Sequence, residues 1–115
     1  MTTVVYHKTK RDVSSSDVNV ISSEEEFSRA ISDEFSVIDV FADWCHPCKK
    51  VAPEFAKLSY SVPNANFYKV DVGLVPAELQ VTALPTFLLC KNGQVVDRYI
   101  GADIKRLMVK IENIL

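Results

Sequence analysis

Residues 36–49 read SVIDVFADWCHPCK, and this stretch decides the fold of the chain. Its first half, Ser36 to Ala42, is an almost continuous apolar run, which predicts a strand buried on both faces of a sheet. From Cys48 onward, apolar residues recur with helical spacing at Val51, Ala52, Phe55 and Leu58. The stretch therefore predicts a buried strand that gives way to a helix, with two cysteines, three residues apart, at the junction.

The position of the cysteine pair has chemical consequences. At a helix N-terminus, free N–H groups and the helix dipole favour a thiolate, so a cysteine there becomes a nucleophile near neutral pH. The spacing of Cys45 and Cys48 places both sulfurs on one side of the first turn, and Pro47 is tolerated there. A structural zinc site needs two more ligands, and the sequence has no second CxxC or histidine pair. We therefore favour reversible dithiol–disulfide exchange over a structural metal or an inert pair.

Strand-like and helix-like patterns alternate along the rest of the chain. We predict strands at 18–21, 66–72, 85–90 and 94–100, a first helix from residue 24, a hairpin turn at 91–93 and a final helix from residue 104. Ser23 and Glu26 have the spacing of a capping box at the start of the first helix. The order βαβαβ, then a hairpin and a helix, predicts an α/β fold with a central sheet and helices on both faces.

Length and composition set further bounds. The chain has 115 residues, three cysteines and a net charge of −2, which predicts one domain and argues against a disulfide scaffold or binding to nucleic acid. No apolar run has the length of a membrane span or of a secretory signal. We expect residues 1–17 to form a flexible N-terminal arm and residues 18–115 to form the domain. The arm is basic and contains serines, so organellar targeting is the alternative reading.

The segment from Val37 to Lys49 resembles the active-site region of the thioredoxin family. Further matches lie at Pro53, at Leu84-Pro85-Thr86, at Lys91-Asn92-Gly93 and at Gly101-Ala102. The resemblance covers residues 18–115 and implies the thioredoxin fold, a central mixed β-sheet flanked by helices on both faces. Three departures are His46 in place of the usual glycine, a shorter stretch from Gly73 to Leu84, and the N-terminal extension.

The resemblance implies a role for each residue of a catalytic group. Cys45 is the attacking thiolate, Cys48 is the resolving thiol, and the two form the redox-active disulfide. Asp39 interrupts an apolar strand, where a carboxylate has a raised pKa. The family's buried proton acceptor lies at this position, and the alternative is a structural carboxylate satisfied by an internal hydrogen bond. Lys69 matches a lysine that accompanies the acid in bacterial relatives, although it could equally point to solvent.

A second group is expected to bind the substrate. Trp44 adjoins the nucleophile and would shield it, with a place in the core as the alternative, and His46 and Pro47 lie between the cysteines. Pro85, if it is cis, blocks metal capture by the thiols and presents the backbone of Leu84 to an extended client segment. Cys90 is expected to be a small buried hydrophobic residue.

The resemblance implies a protein-disulfide reductase of the cytoplasm that is recharged by an NADPH- and FAD-dependent thioredoxin reductase. Its clients would be disulfide-containing proteins such as peroxiredoxins or reductases. We expect a monomer that binds no cofactor, metal, nucleic acid or membrane.

Three alternatives remain at this stage. A disulfide oxidase or isomerase is one, because His46 could make the pair more oxidising, although such activities need an oxidising compartment. A non-catalytic binding module is the second, and it is disfavoured because both cysteines, Asp39 and Pro85 are present. The third is a dimer that shares a metal or an iron–sulfur cluster through the two thiolates.

Overall fold

The computed structural model describes residues 17–115. The arm predicted at residues 1–17 thus lies outside the described residues except for Asp17, which is buried. The strands are β1 (Val18–Ile21), β2 (Phe35–Phe41), β3 (Asn66–Asp71), β4 (Thr86–Lys91) and β5 (Gln94–Ile100), and the helices are α1 (Glu24–Ile31), α2 (His46–Ser61) and α3 (Ile104–Ile114). The predicted order of elements is confirmed, with boundaries that differ by one residue or so.

The five strands form one mixed sheet in the order β1-β3-β2-β4-β5. Strand β3 runs parallel to both β1 and β2, whereas β4 is antiparallel to β2 and to β5. The β2 strand is therefore central and is hydrogen-bonded on both edges, as its apolar run predicts. Because β2 and β3 are parallel, their carboxyl ends meet at one edge of the sheet, where α2 begins.

Alternating side chains of the sheet build two cores, one on each face. On the face covered by α2 and α3, the buried residues include Val37, Phe55, Phe67, Phe87 and Leu107. On the face covered by α1, they include Phe27, Ile38, Val40, Leu88 and Cys90. The prediction of a thioredoxin fold with helices on both faces of the sheet is confirmed.

Local signals in the sequence explain where the elements start and turn. Ser23 caps α1 by accepting a hydrogen bond from the Glu26 N–H at 3.1 Å. The hairpin between β4 and β5 turns through Asn92 and Gly93, whose φ angles are +52° and +90°, as a tight two-residue turn of the primed type requires. The short stretch after β3 forms two 3₁₀ turns, at Val72–Leu74 and Ala77–Leu79. Among the described residues, we find no helix with the length and hydrophobicity that crossing a membrane requires.

Candidate functional site

The cysteine pair lies in the loop that leaves β2 and in the first turn of α2. Cys45 is the residue that caps the helix, and its Sγ accepts a hydrogen bond from the Cys48 N–H at 3.3 Å. The two residues are joined by a disulfide, with their Cα atoms 5.3 Å apart. A helix N–H that has no partner within the helix thus donates to the Cys45 sulfur, an arrangement that stabilises a thiolate once the disulfide is reduced.

Exposure does not distinguish the two cysteines, since each is 4% exposed. The residues that surround the two sulfurs differ. Trp44, immediately before Cys45, is 78% exposed, so the alternative of a core tryptophan is wrong. His46 and Pro47 are exposed as well, and with Trp44 they form the outer surface around Cys45.

Asp39 lies in the middle of β2, opposite Lys69 of β3 and Phe87 of β4. The alternation of β2 places its side chain on the same face as that of Val37, beneath α2. Asp39 is 3% exposed, and its Oδ1 accepts no hydrogen bond from the described part of the chain. Burial raises the pKa of Asp39 to about 7, although the Lys69 ammonium acts in the opposite direction. The carboxyl group can therefore gain and lose a proton at neutral pH.

Asp39 and Cys48 line a cavity of about 150 Å³, whose lining also includes Lys69, Lys49 and Ala52 but not Cys45. Cys48 and a carboxyl group that titrates near neutrality thus line the same cavity. Lys69 lies at this cavity rather than away from Asp39, with its Nζ 5.7 Å from the centre of the Phe41 ring. Phe41 was not among the predicted site residues, because only its position at the end of the buried strand distinguishes it in the sequence.

The Leu84–Pro85 peptide bond is cis, as expected for the loop that faces the cysteines. Leu84 packs against the cluster of Ala42, Cys45 and Cys48. The Pro85 carbonyl accepts a hydrogen bond from the Gly101 N–H at 3.1 Å, and the Thr86 hydroxyl donates to the Ala83 carbonyl at 2.6 Å. The loop is thereby fixed to β5 and to β4 beside the disulfide.

One apolar residue beside this loop was missed. Ile100 is paired with Thr86 at the end of β5 and is 54% exposed. In the sequence, only its position immediately before Gly101 could have indicated this residue. An exposed branched side chain therefore lies beside the start of β4, the strand into which the loop leads.

Cys90 is separate from this site. It is free and fully buried, packs in the core on the α1 side, and burial raises the pKa of its thiol to about 11. These properties confirm the expectation of a small buried hydrophobic residue. Among the residues the structure describes, no cluster of three or more His, Cys, Asp or Glu side chains is arranged to hold a metal ion.

The thioredoxin family model matches residues 18–113. The chain belongs to the thioredoxin family. It is 41% identical over 98 residues to thioredoxin-2 of Pyricularia oryzae, covering 82% of this chain and 57% of that protein. It is 38% identical over 99 residues to thioredoxin-1 of Schizosaccharomyces pombe, covering 83% of this chain and 96% of that protein.

A solved structure that explains thiol resolution in a yeast mitochondrial 1-Cys peroxiredoxin by the glutathione and thioredoxin systems is also similar. It superposes with a TM-score of 0.78 at 37% identity, over 86% of this chain and 99% of that one. Family membership and the vicinal cysteine pair make the chain a thiol–disulfide oxidoreductase, which acts as a protein-disulfide reductase.

Proposed function

We propose that Cys45 attacks the client disulfide and that Cys48 resolves the mixed disulfide. The observation that carries this assignment is the cavity beside Asp39, which includes Cys48 and excludes Cys45. The resolving thiol must lose a proton at the moment it attacks, so it needs an acceptor within reach. Cys45 has a helix N–H directed at its sulfur instead, which favours a thiolate before any client arrives.

The reaction then proceeds in two exchange steps. The Cys45 thiolate attacks one sulfur of the client disulfide, forms a mixed disulfide and releases the other client sulfur as a thiolate, which takes up a proton. Asp39, in its ionised form, accepts the Cys48 proton through the cavity, and the Cys48 thiolate attacks the Cys45 sulfur. The second client sulfur leaves as a thiolate and is protonated. The client has gained two electrons and two protons, and Cys45 and Cys48 have become a disulfide.

Lys69 acts in this scheme as a charge partner for Asp39. Its ammonium favours the ionised carboxylate and so opposes the effect of burial on the pKa of Asp39. The balance of the two effects keeps the carboxyl group close to its midpoint at neutral pH. Asp39 can then accept a proton in one step and release it in the next.

Trp44, His46, Pro47, Leu84 and Pro85 form the proposed client-binding surface. The proposal is supported by the exposure of the first three and by the fixed backbone of the loop that contains Leu84 and Pro85. The exposed Ile100 adds apolar area to this surface. An extended client segment would pair with the backbone at Leu84, and its disulfide would lie over Cys45.

The partners we propose are an NADPH- and FAD-dependent thioredoxin reductase and disulfide-containing clients, among them peroxiredoxins. Support for the peroxiredoxin comes from the similar structure of the yeast peroxiredoxin–thioredoxin system. We propose that the protein works as a monomer in the cytoplasm, because a dithiol reductant is maintained in a reducing compartment. Fusing residues 1–17 to a fluorescent protein tests the organellar alternative, and transport of the fusion into an organelle would contradict the cytoplasmic assignment.

A pair of cysteine variants tests the assignment of the two thiols. Cys48→Ser should accumulate mixed disulfides with clients, because nothing displaces the client from Cys45, whereas Cys45→Ser should accumulate none. The measurement is mass spectrometry of peptides cross-linked to the protein after incubation with oxidised clients. Cys90→Ser is the matched control, and its client reduction should equal that of the wild type. Equal trapping by the two active-site variants would show that the roles are shared or reversed.

A further inference from the structure

The loop that leads to Leu84 and Pro85 is held at its far end by a side chain from β5. The Arg98 Nη2 donates a hydrogen bond to the Leu79 carbonyl at 2.8 Å. Leu79 ends the second 3₁₀ turn, five residues before Leu84. Within the described part of the chain, we find no second side chain that donates a hydrogen bond to residues 76–82.

The backbone next to this contact adopts a conformation that needs support. Gln80, directly after Leu79, has φ +52° and ψ +51°, the left-handed region that residues with a Cβ rarely occupy. Its N–H bonds to the Ala77 carbonyl at 2.9 Å. The Arg98 guanidinium and this turn therefore fix the direction in which the chain leaves residue 79.

The opposite end of the loop is fixed by two further contacts. The Thr86 hydroxyl of β4 donates to the Ala83 carbonyl, and the N–H of Gly101, directly after β5, donates to the Pro85 carbonyl. Residues 80–84 thus span two anchored ends, and the side chains of Leu79, Val81 and Leu84 pack against the core on the α1 side. Releasing one end frees the segment that sets the position of the Leu84 backbone.

We propose that Arg98 is a positioning residue for client binding, acting through the Leu79 carbonyl on the loop that contains Leu84 and Pro85. Arg98 does not touch the disulfide, and it lies outside the proposed client-binding surface. This inference rests on the proposed function, in which the Leu84 backbone pairs with the client. A client that needs this pairing should depend on Arg98, whereas a small disulfide that reaches only Cys45 should not.

The test is a stopped-flow measurement with reduced protein, read by fluorescence. Trp44 is the single tryptophan of the sequence and adjoins Cys45, so it reports formation of the Cys45–Cys48 disulfide. We compare wild type, Arg98→Met and Arg98→Lys over a range of concentrations of insulin, as a protein disulfide, and of cystine, as a small one. Arg106→Met is the matched control, because Arg106 is an exposed arginine of α3 that forms an ion pair with Asp103 of the same helix start.

For Arg98→Met we expect the insulin concentration at half-saturation to rise about fivefold, the loss that goes with one hydrogen bond, with the limiting rate nearly unchanged. The cystine rate should equal that of the wild type. Amide hydrogen exchange should accelerate at residues 80–84 and not in β2 or α2. Arg98→Lys, which keeps the charge and one long donor, should restore part of the loss, and Arg106→Met should behave as the wild type does.

Two results would overturn the proposal. One is an insulin half-saturation that is the same in Arg98→Met and Arg106→Met. The other is an equal slowing with insulin and cystine, which would place the effect on the dithiol itself. If Arg98→Met does not fold, Arg98→Gln is judged by the same criteria. Failure of the proposed function would give a different result. The rate at which wild-type protein reduces insulin would then rise with insulin concentration without saturating.

Discussion

Asp39 lies in an environment that its residue type disfavours. It is 3% exposed and burial raises its pKa to about 7, against about 3.9 in an unfolded chain. Below pH 4 the group is protonated in both states and has no effect on stability. Between pH 4 and 7 the unfolded chain releases the proton and the folded protein retains it, so the free energy of unfolding falls as the pH rises.

We therefore expect Asp39→Asn to stabilise the oxidised protein in a pH-dependent way. The advantage over the wild type should grow from pH 4 to pH 8 by about 4 kcal/mol, since three pKa units correspond to that free energy. The measurement is urea denaturation of both proteins across this pH range. Client reduction should slow at the same time, because an amide accepts no proton from Cys48. A pH-independent difference in stability would mean that Asp39 titrates in the folded protein as it does in the unfolded chain.

At the scale of single residues, the sequence predicted that Asp39 lies within a buried strand and that the two cysteines lie where this strand gives way to a helix, and the structure has them there. Their roles stay predictions. A carboxylate within an apolar strand and a cysteine pair at a strand–helix junction are strong local signals. The position of Lys69 could not be decided, because a long side chain on a half-buried strand can turn either way. Arg98 and Ile100 were missed because their surroundings come from residues far apart in the sequence.

At the scale of elements, the glycines at the two ends of β5 differ in what a side chain would meet there. At one position only the backbone conformation opposes a side chain, and at the other a steric clash does so as well. Gly93 has φ +90° and open space where a Cβ would lie. Gly101 has φ +141°, and a Cβ there would be 2.7 Å from the Tyr99 hydroxyl oxygen. That hydroxyl also accepts the Asp103 N–H at the start of α3, so it cannot move without breaking this contact.

We expect Gly93→Ala to cost about 1 kcal/mol, the strain of the left-handed backbone alone. Gly101→Ala should cost about 3 kcal/mol or more, because backbone strain and a steric clash act together. The Gly101 N–H that bonds to Pro85 should also be displaced, so client reduction should weaken in this variant and not in Gly93→Ala. Chemical denaturation measures the free energy of unfolding of both variants and of the wild type. Equal losses in the free energy of unfolding for Gly93→Ala and Gly101→Ala would contradict the prediction of a steric clash at position 101.

The elements themselves were predictable from the sequence to within a residue or so, for physical reasons. The capped start of α1, the helical stripe of α2 and the Asn92-Gly93 turn are encoded by residues adjacent in sequence. The stretch from Val72 to Leu84 was not predictable in detail. Its two 3₁₀ turns depend on contacts with β5 and with the core on the α1 side, and the short apolar segments there carry no period of their own.

At the scale of the whole molecule, the core residues within the described part of the chain lie between β1 and the end of α3. The buried members of these clusters run from Ile21 to Ile111, and β1 closes the sheet against β3 through four residue pairs. Asp17, directly before β1, is 4% exposed. Because the thioredoxin family model begins at residue 18 and Asp17 is buried, we propose that the folded domain includes Asp17 and that residues 1–16 are dispensable for folding.

Two truncations that differ by one residue test this boundary. Deletion of residues 1–16 should change the free energy of unfolding by less than about 1 kcal/mol, as for substitutions outside the core, and should leave client reduction within twofold of the full chain. Deletion of residues 1–17 also removes a buried side chain at the start of β1, so it should be measurably less stable than the first truncation. Both proteins are compared with the full chain by urea denaturation and by reduction of insulin. Loss of folding on removing residues 1–16 would make the arm part of the domain, and identical stability of the two truncations would place the boundary after Asp17.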